Sequence, residues 1–203
     1  MNTVGVLLAA GGSSRFGTAD KLLAPYRGRP LVSHAADAMR AARLDRLLAV
    51  VSSRDVAAEL DGFECVWPED GQASMSASIR AGIRRAEATG AQCALIALGD
   101  MPGITSGHLS RLVTACTAEM PAATTDGQRP MAPACFPRRS FPLLTSLDGD
   151  AGARTLIRDL PAERLVAASA EALVDMDAPE DFCNRSGARE GAEGTPDDTL
   201  IAG

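Results

Sequence analysis

Aromatic residues make up only 3% of this 203-residue chain, with one Trp and one Tyr. So few rings argue against a stacking platform for single-stranded nucleic acid. Basic residues are also in the minority, 20 against 26 acidic, for a net charge of -6. A general nucleic-acid binder needs the opposite balance, although a few local cations could still hold a small anionic ligand. Histidine occurs twice, at His34 and His108 in separate predicted helices. No Ser–His–Asp order is legible, which argues against a hydrolytic triad. The five cysteines, Cys65, Cys93, Cys116, Cys135 and Cys183, show no C-x-x-C spacing. An odd count with wide gaps suggests neither a disulfide framework nor a zinc knuckle, and reads as buried, reduced thiols. No apolar run is long enough to span a bilayer. The N-terminal apolar stretch is short and lacks a basic lead, so a cytoplasmic protein with no membrane partner is expected.

What the chain does have is alternation of apolar runs and helical patterns. Strands are predicted at Thr3–Ala10, a continuous apolar run bounded by glycines, at Arg46–Ser52 and Gln92–Leu98, and, as a short strand, at Phe63–Val66. Between and after them, helical spacing marks Leu31–Ala42, Asp55–Leu60, Ser74–Ala88 and Ser106–Ala118. This order predicts an α/β fold of three layers, Rossmann-like, with a mostly parallel central sheet and helices on both faces. After Met120 prolines break the pattern. Pro121–Thr125 and Met131–Phe136 read as strands that pair, Phe141–Leu147 and Ala151–Asp159 as helices, Arg164–Ala168 and Leu173–Asp175 as late strands, and Pro179–Asn184 as a last helix. One domain is expected over residues 1–185, with residues 186–203 as a disordered acidic tail.

In such sheets ligands sit beyond the carboxyl ends of the strands, and two features fall there. The first is "LLAAGGSSRFGTADK", from Leu7 to Lys21. Gly12 and Gly17 have P-loop spacing, but Thr18 stands where that motif has Lys, so the motif fails. The ingredients of an anion cradle are nevertheless present. Gly11 and Gly12 permit close backbone approach, Ser13 and Ser14 add hydroxyl donors, and Arg15 and Lys21 supply cations. The second feature is Asp100 in "ALIALGDMP", a hard oxygen donor just past a buried strand and a candidate Mg²⁺ ligand. Asp177 in "DMDAPED" is either a second carboxylate on that metal or a helix cap before Pro179. Gln72, Ser74 and Ser78 in "GQASMSASIRAGI" open a helix. Capping by Ser74 and polar contacts to a nucleobase are both compatible with that placement.

Together these strings resemble the molybdenum cofactor nucleotidyltransferases, the MobA-like NTP transferases, and within them the cytidylyl branch. The likeness runs through "LAAGGSSRFG", "DKLL", "GRPL", "GQASMSASIRAGI", "LGDMP", "FPLLTSLDGDAGARTLI" and "DMDAPEDF", from Gly5 to about Phe182. Phe16 stands where the family usually has Met.

The resemblance implies roles for these residues. Leu8, Ala9 and the turn from Ala10 to Arg15 would wrap a nucleoside triphosphate, along with Gly99. Lys21 would neutralise its phosphates. Asp100, with Asp177, would hold Mg²⁺. Residues 120–175 would form the acceptor side, where Asp150, Gly152 and Arg154 of the "GDAGAR" turn face the acceptor. The LAAG form and the missing GPLAG segment point to CTP rather than GTP. The acceptor would be of molybdopterin type, with a molybdenum hydroxylase receiving the product. Cytidylyl relatives often carry His-Pro where this chain has Ala132-Pro133, which leaves a sugar or polyol phosphate open as acceptor. Two further readings stand beside this one: guanylyl transfer to the same cofactor, and a cofactor-binding chaperone without turnover. Comparing pyrophosphate release from CTP and from GTP separates guanylyl transfer, a panel of acceptors decides the sugar or polyol phosphate reading, and tight cofactor binding with no release from any triphosphate would mark the chaperone.

Overall fold

Strand β1, Thr3–Ala9, is buried at every position, and the rest of the molecule is arranged around it. The computed structural model describes residues 2–11, 20–68, 74–147, 153–174 and 176. After β1 come a short hairpin, β2 Pro25–Tyr26 and β3 Arg29–Pro30, then α1 Leu31–Ala41, β4 Arg46–Val51, α2 Arg54–Ala58 and β5 Glu64–Val66. The chain continues with α3 Met75–Ala88, β6 Cys93–Leu98, α4 Ser106–Ala115, β7 Ala122–Thr125 and β8 Pro130–Pro137. It closes with α5 Phe141–Thr145, α6 Arg154–Ile157 and β9 Leu165–Ala167.

Seven strands form one sheet in the order β5-β4-β1-β6-β8-β7-β9. Within it β8 runs against its neighbours, pairing antiparallel with both β6 and β7. Side chains alternate between the sheet's faces, so two cores form. On one face Leu7, Val51 and Leu95 pack under α1 and α4 through Leu31, Met39, Leu109 and Leu112. On the other, Val6, Val50 and Ile96 pack under α3 and α5 through Ile79, Ile83, Phe141 and Leu144. The predicted three-layer α/β fold with a mostly parallel sheet is therefore the one observed.

Several predicted boundaries differ. Helix α4 stops at Ala115 rather than Ala118, because Cys116 turns extended. A closed turn then replaces the last helical residues: the Thr117 N–H donates to Met120 O at 3.0 Å, and the Met120 N–H to Thr117 Oγ1 at 3.1 Å. Ala172 and Leu173 hydrogen-bond back to Ser169 O, so residues 171–173 form a turn where a strand is predicted to begin. The predicted helix at Ala151–Asp159 covers only Arg154–Ile157 among the described residues. The helix at Pro179–Asn184 and the tail from residue 186 lie outside the described residues. The β2–β3 hairpin and the 3-10 turns at Lys21–Leu23, Arg138–Ser140 and Ala162–Arg164 are additions to the predicted elements. Among the described residues, no helix is long and apolar enough to cross a membrane.

Candidate active site at the carboxyl ends of β1 and β6

Strands β1 and β6 are neighbours in register, Leu8 beside Leu98, so whatever follows each of them emerges side by side. The Gly99 N–H donates to Leu8 O at 2.9 Å, which extends the ladder by one residue. A β-carbon at Gly99 would lie 3.3 Å from both Leu8 O and Val32 Cγ2, too tight for an unadjusted side chain. Asp100 follows directly.

Lys21 arrives from the segment beyond β1. Asp20 caps the 3-10 turn, its Oδ1 accepting the Leu22 N–H at 3.0 Å. Leu22 is buried and anchors that turn in the core. Lys21 Nζ then reaches Asp100 Oδ2 at 2.8 Å. Their side chains are 13% and 22% exposed, so this is not a solvated surface pair of the kind that contributes almost nothing. Asp100 Oδ1 is buried and accepts no hydrogen bond among the described residues. A carboxylate with one oxygen on a lysine and the other, buried, without a hydrogen bond among the described residues has the chemistry of a hard-cation donor. Residues at this site therefore fit a divalent ion.

Leu8, Ala9 and Ala10 are buried at the end of β1, and Gly11 emerges exposed beyond them. Gly12, Ser13, Ser14 and Arg15 lie outside the described residues, as do Gln72, Asp150, Gly152 and Asp177. Met176 is described: its N–H donates to Asp100 O at 3.3 Å, and it is fully buried. Ser74 is the N-cap of α3, its Oγ accepting the Ala77 N–H at 3.1 Å. Ser78 is buried, and its hydroxyl donates to Ser74 O.

The turn at 169–173 holds the segment that leads to Met176. At Gly103 an added β-carbon would meet Glu171 O at 2.5 Å and Ala172 Cα at 2.9 Å, both backbone. Gly103→Ala is therefore expected to displace this turn and destabilise the protein by about 1–3 kcal/mol. Turnover should fall beyond what that unfolding removes, because the path past Asp100 moves with the turn. Thermal melting and turnover, measured on the same sample, check both effects.

Beside the Lys21–Asp100 pair an open cavity of about 770 Å³ is floored by Leu8, Leu98 and Phe136. Arg129, Arg154 and Arg158 line it together with Asp126, which pairs with Arg129 at 3.8 Å, so an apolar floor meets three guanidinium groups and one carboxylate. Arg154 is among the residues that sequence reasoning places on the acceptor side. Arg129 and Arg158 escape it, since a lone Arg in a turn or on a short helix carries no periodic signal. Ala132 lines the same cavity.

His108, uninformative in the sequence, stands behind this wall. It is buried, and its Nε2 lies 2.8 Å from Thr124 Oγ1. Thr124 donates its own proton to Pro133 O at 2.7 Å, so Nε2 must be the donor to Thr124. Nδ1 then accepts from Arg111 Nη2 at 3.3 Å. Burial, and next the Arg111 charge, hold His108 below its ordinary 6.5. The unfolded chain therefore takes up this proton first, and folding stability should fall as pH drops through 6.5 towards the folded value. Melting curves across that range should show the drop, and His108→Gln should flatten it.

Comparison with known proteins agrees with this layout. The MobA-like NTP transferase domain model matches residues 5–166. "Purine catabolism protein PucB" of Bacillus subtilis is 31% identical over 193 residues, covering 88% of this chain and 93% of its own. "Nicotine blue oxidoreductase" of Paenarthrobacter nicotinovorans is 31% identical over 175 residues, covering 77% and 82%. The crystal structure of Rv0371c from Mycobacterium tuberculosis superposes with a TM-score of 0.79 at 29% identity, covering 92% of this chain and 98% of that one. Rv0371c has also been solved as a complex with manganese.

Proposed function

The chain belongs to the MobA-like NTP transferase family, and we propose that the group it transfers is CMP, taken from CTP and delivered to the terminal phosphate of molybdopterin with release of pyrophosphate. The observation that carries this reading is the Lys21–Asp100 pair, with its bare Oδ1, beside the end of the strand that runs into the glycine turn. The nucleophile is a phosphate already ionised at neutral pH, so the reaction needs no general base. It needs a held geometry and neutralised charge. Backbone N–H groups from Ala10 to Ser14 cradle the triphosphate. Lys21 and Arg15 offset the charge that grows on the departing pyrophosphate. Asp100 and Asp177 would hold Mg²⁺, which supplies charge neutralisation to the triphosphate when bound. The manganese complex of Rv0371c supports a divalent ion in this role. Gln72, Ser74 and Ser78 would supply polar contacts to the base, and the LAAG form of the first turn favours cytosine.

The cavity suits the acceptor. Its apolar floor takes a flat heterocycle, and Arg129, Arg154 and Arg158 take an anionic group. Asp150 and Gly152 would serve the same acceptor, and a molybdenum hydroxylase would receive the product. Ala132, at the position of the imidazole in cytidylyl relatives, favours a second reading in which a sugar or polyol phosphate is the acceptor. Pyrophosphate release from CTP and from GTP, each with molybdenum cofactor and with a panel of sugar and polyol phosphates, tests this. CTP with the cofactor should be fastest. Faster turnover with GTP, or with a polyol phosphate, would replace the assignment.

A further inference from the structure

At the other end of β6, three cysteines that the sequence keeps far apart come together. Cys93 opens β6 and pairs with Pro137 of β8, while Cys135 lies two residues earlier on β8, opposite Leu95. In an antiparallel pair, such diagonal neighbours share a face. Cys116 closes α4 over that face as its C-cap. The three side chains are buried, at 1%, 0% and 6% exposure for Cys93, Cys135 and Cys116. Their sulfurs all lie within 4.8 Å of one another, and the Cys93 and Cys116 Sγ atoms are 4.0 Å apart.

That spacing has a chemical meaning. Three sulfurs at about 2.3 Å from a central ion stand about 4.0 Å apart when the ion lies in their plane. Among the described residues, no His, Asp or Glu joins the three thiols in this group. Zinc in a structural site takes four ligands, whereas soft thiolates without a fourth donor select Cu(I). Cu(I) with three thiolates carries a net charge of -2, and a buried charge of that size calls for a nearby cation. Arg164 anchors next to Cys116, its Nη1 donating to Ala115 O at 2.7 Å. The Arg164 Nε is buried and has no hydrogen-bond partner among the described residues, so a guanidinium with an unused donor stands beside the sulfurs. We propose that Cys93, Cys116 and Cys135 form a three-coordinate thiolate site for Cu(I), separate from the nucleotide site and roughly 20 Å along β6 from Asp100. Binding exchanges three thiol protons for one Cu(I), with no change in oxidation state.

The alternative is that three small apolar side chains simply fill the core. The two separate when the reduced full-length protein is titrated anaerobically with Cu(I) held by a chromophoric chelator. The protein should withdraw one Cu(I) per chain, with X-ray absorption reporting three sulfurs at a single distance and a raised melting temperature. Cys116→Ser should weaken binding by more than about 100-fold, beyond the cost of losing an outer partner. Cys135→Ala should do the same if Cys116→Ser fails to fold. Replacing Cys65 and Cys183 together by Ser should leave binding intact. Failure to withdraw Cu(I), a two-sulfur absorption signature, loss of binding in the Cys65/Cys183 variant, or preference for Zn(II) would each overturn the site.

Discussion

Replacing Asp100 by Asn is expected to lower Mg²⁺-dependent pyrophosphate release by about 10²–10³-fold or more, comparable to deleting a group aimed at developing charge. The substitution keeps the size of the side chain and its place after Gly99, so the fold should survive. What it removes is the negative charge shared between Lys21 Nζ and the bare Oδ1. The neutral amide is a poor ligand for a hard divalent cation, so raising the Mg²⁺ concentration should recover part of the lost rate. Steady-state turnover against Mg²⁺ concentration measures this. Near-normal turnover with unchanged metal dependence would remove Asp100 from the proposed metal site.

Lys21→Met should cost a similar factor, about 10²–10³ in turnover, for a different reason. The long apolar stem is retained, so packing around Leu22 is little disturbed. The lost charge is the one proposed to stabilise the departing pyrophosphate, and the substitution also leaves Asp100 Oδ2 without the 2.8 Å partner. Because both residues act on one charge distribution, the double variant should be far from additive, only slightly slower than either single one. Fully multiplied losses would mean that the two residues serve independent steps.

The fold is legible in the sequence because the central parallel strands β1, β4 and β6 are largely apolar runs, and parallel sheets covered on both faces read that way. Ligands gather at the carboxyl ends of such strands, which puts Asp100 and the glycine turn at one end of the sheet, and Lys21 and Asp100 do meet there. The features that escape sequence reasoning depend on contacts between distant segments. Two-residue strands such as Pro25–Tyr26 are too short to carry a period. The hydrogen bonds joining His108, Thr124 and Pro133 depend on where α4 lands on the sheet. The cysteine cluster depends on the β6–β8 register, which no spacing in the sequence encodes. Helix α4 ends early because the Thr117–Met120 turn competes with it, a local hydrogen-bonding choice that propensity does not capture.

Lys21 lies three residues beyond Thr18, where a P-loop would carry its lysine, and this offset bears on which bond is cut. A P-loop lysine serves a cut at the γ-phosphate, whereas the reaction proposed here cuts between α and β. The most direct test uses CTP labelled separately at the α- and γ-phosphates, with molybdenum cofactor and Mg²⁺. The α-label is expected to pass into the cofactor product while the γ-label leaves within pyrophosphate. Release of the γ-label as free phosphate, or no transfer of the α-label from any nucleoside triphosphate, would contradict the proposed transfer.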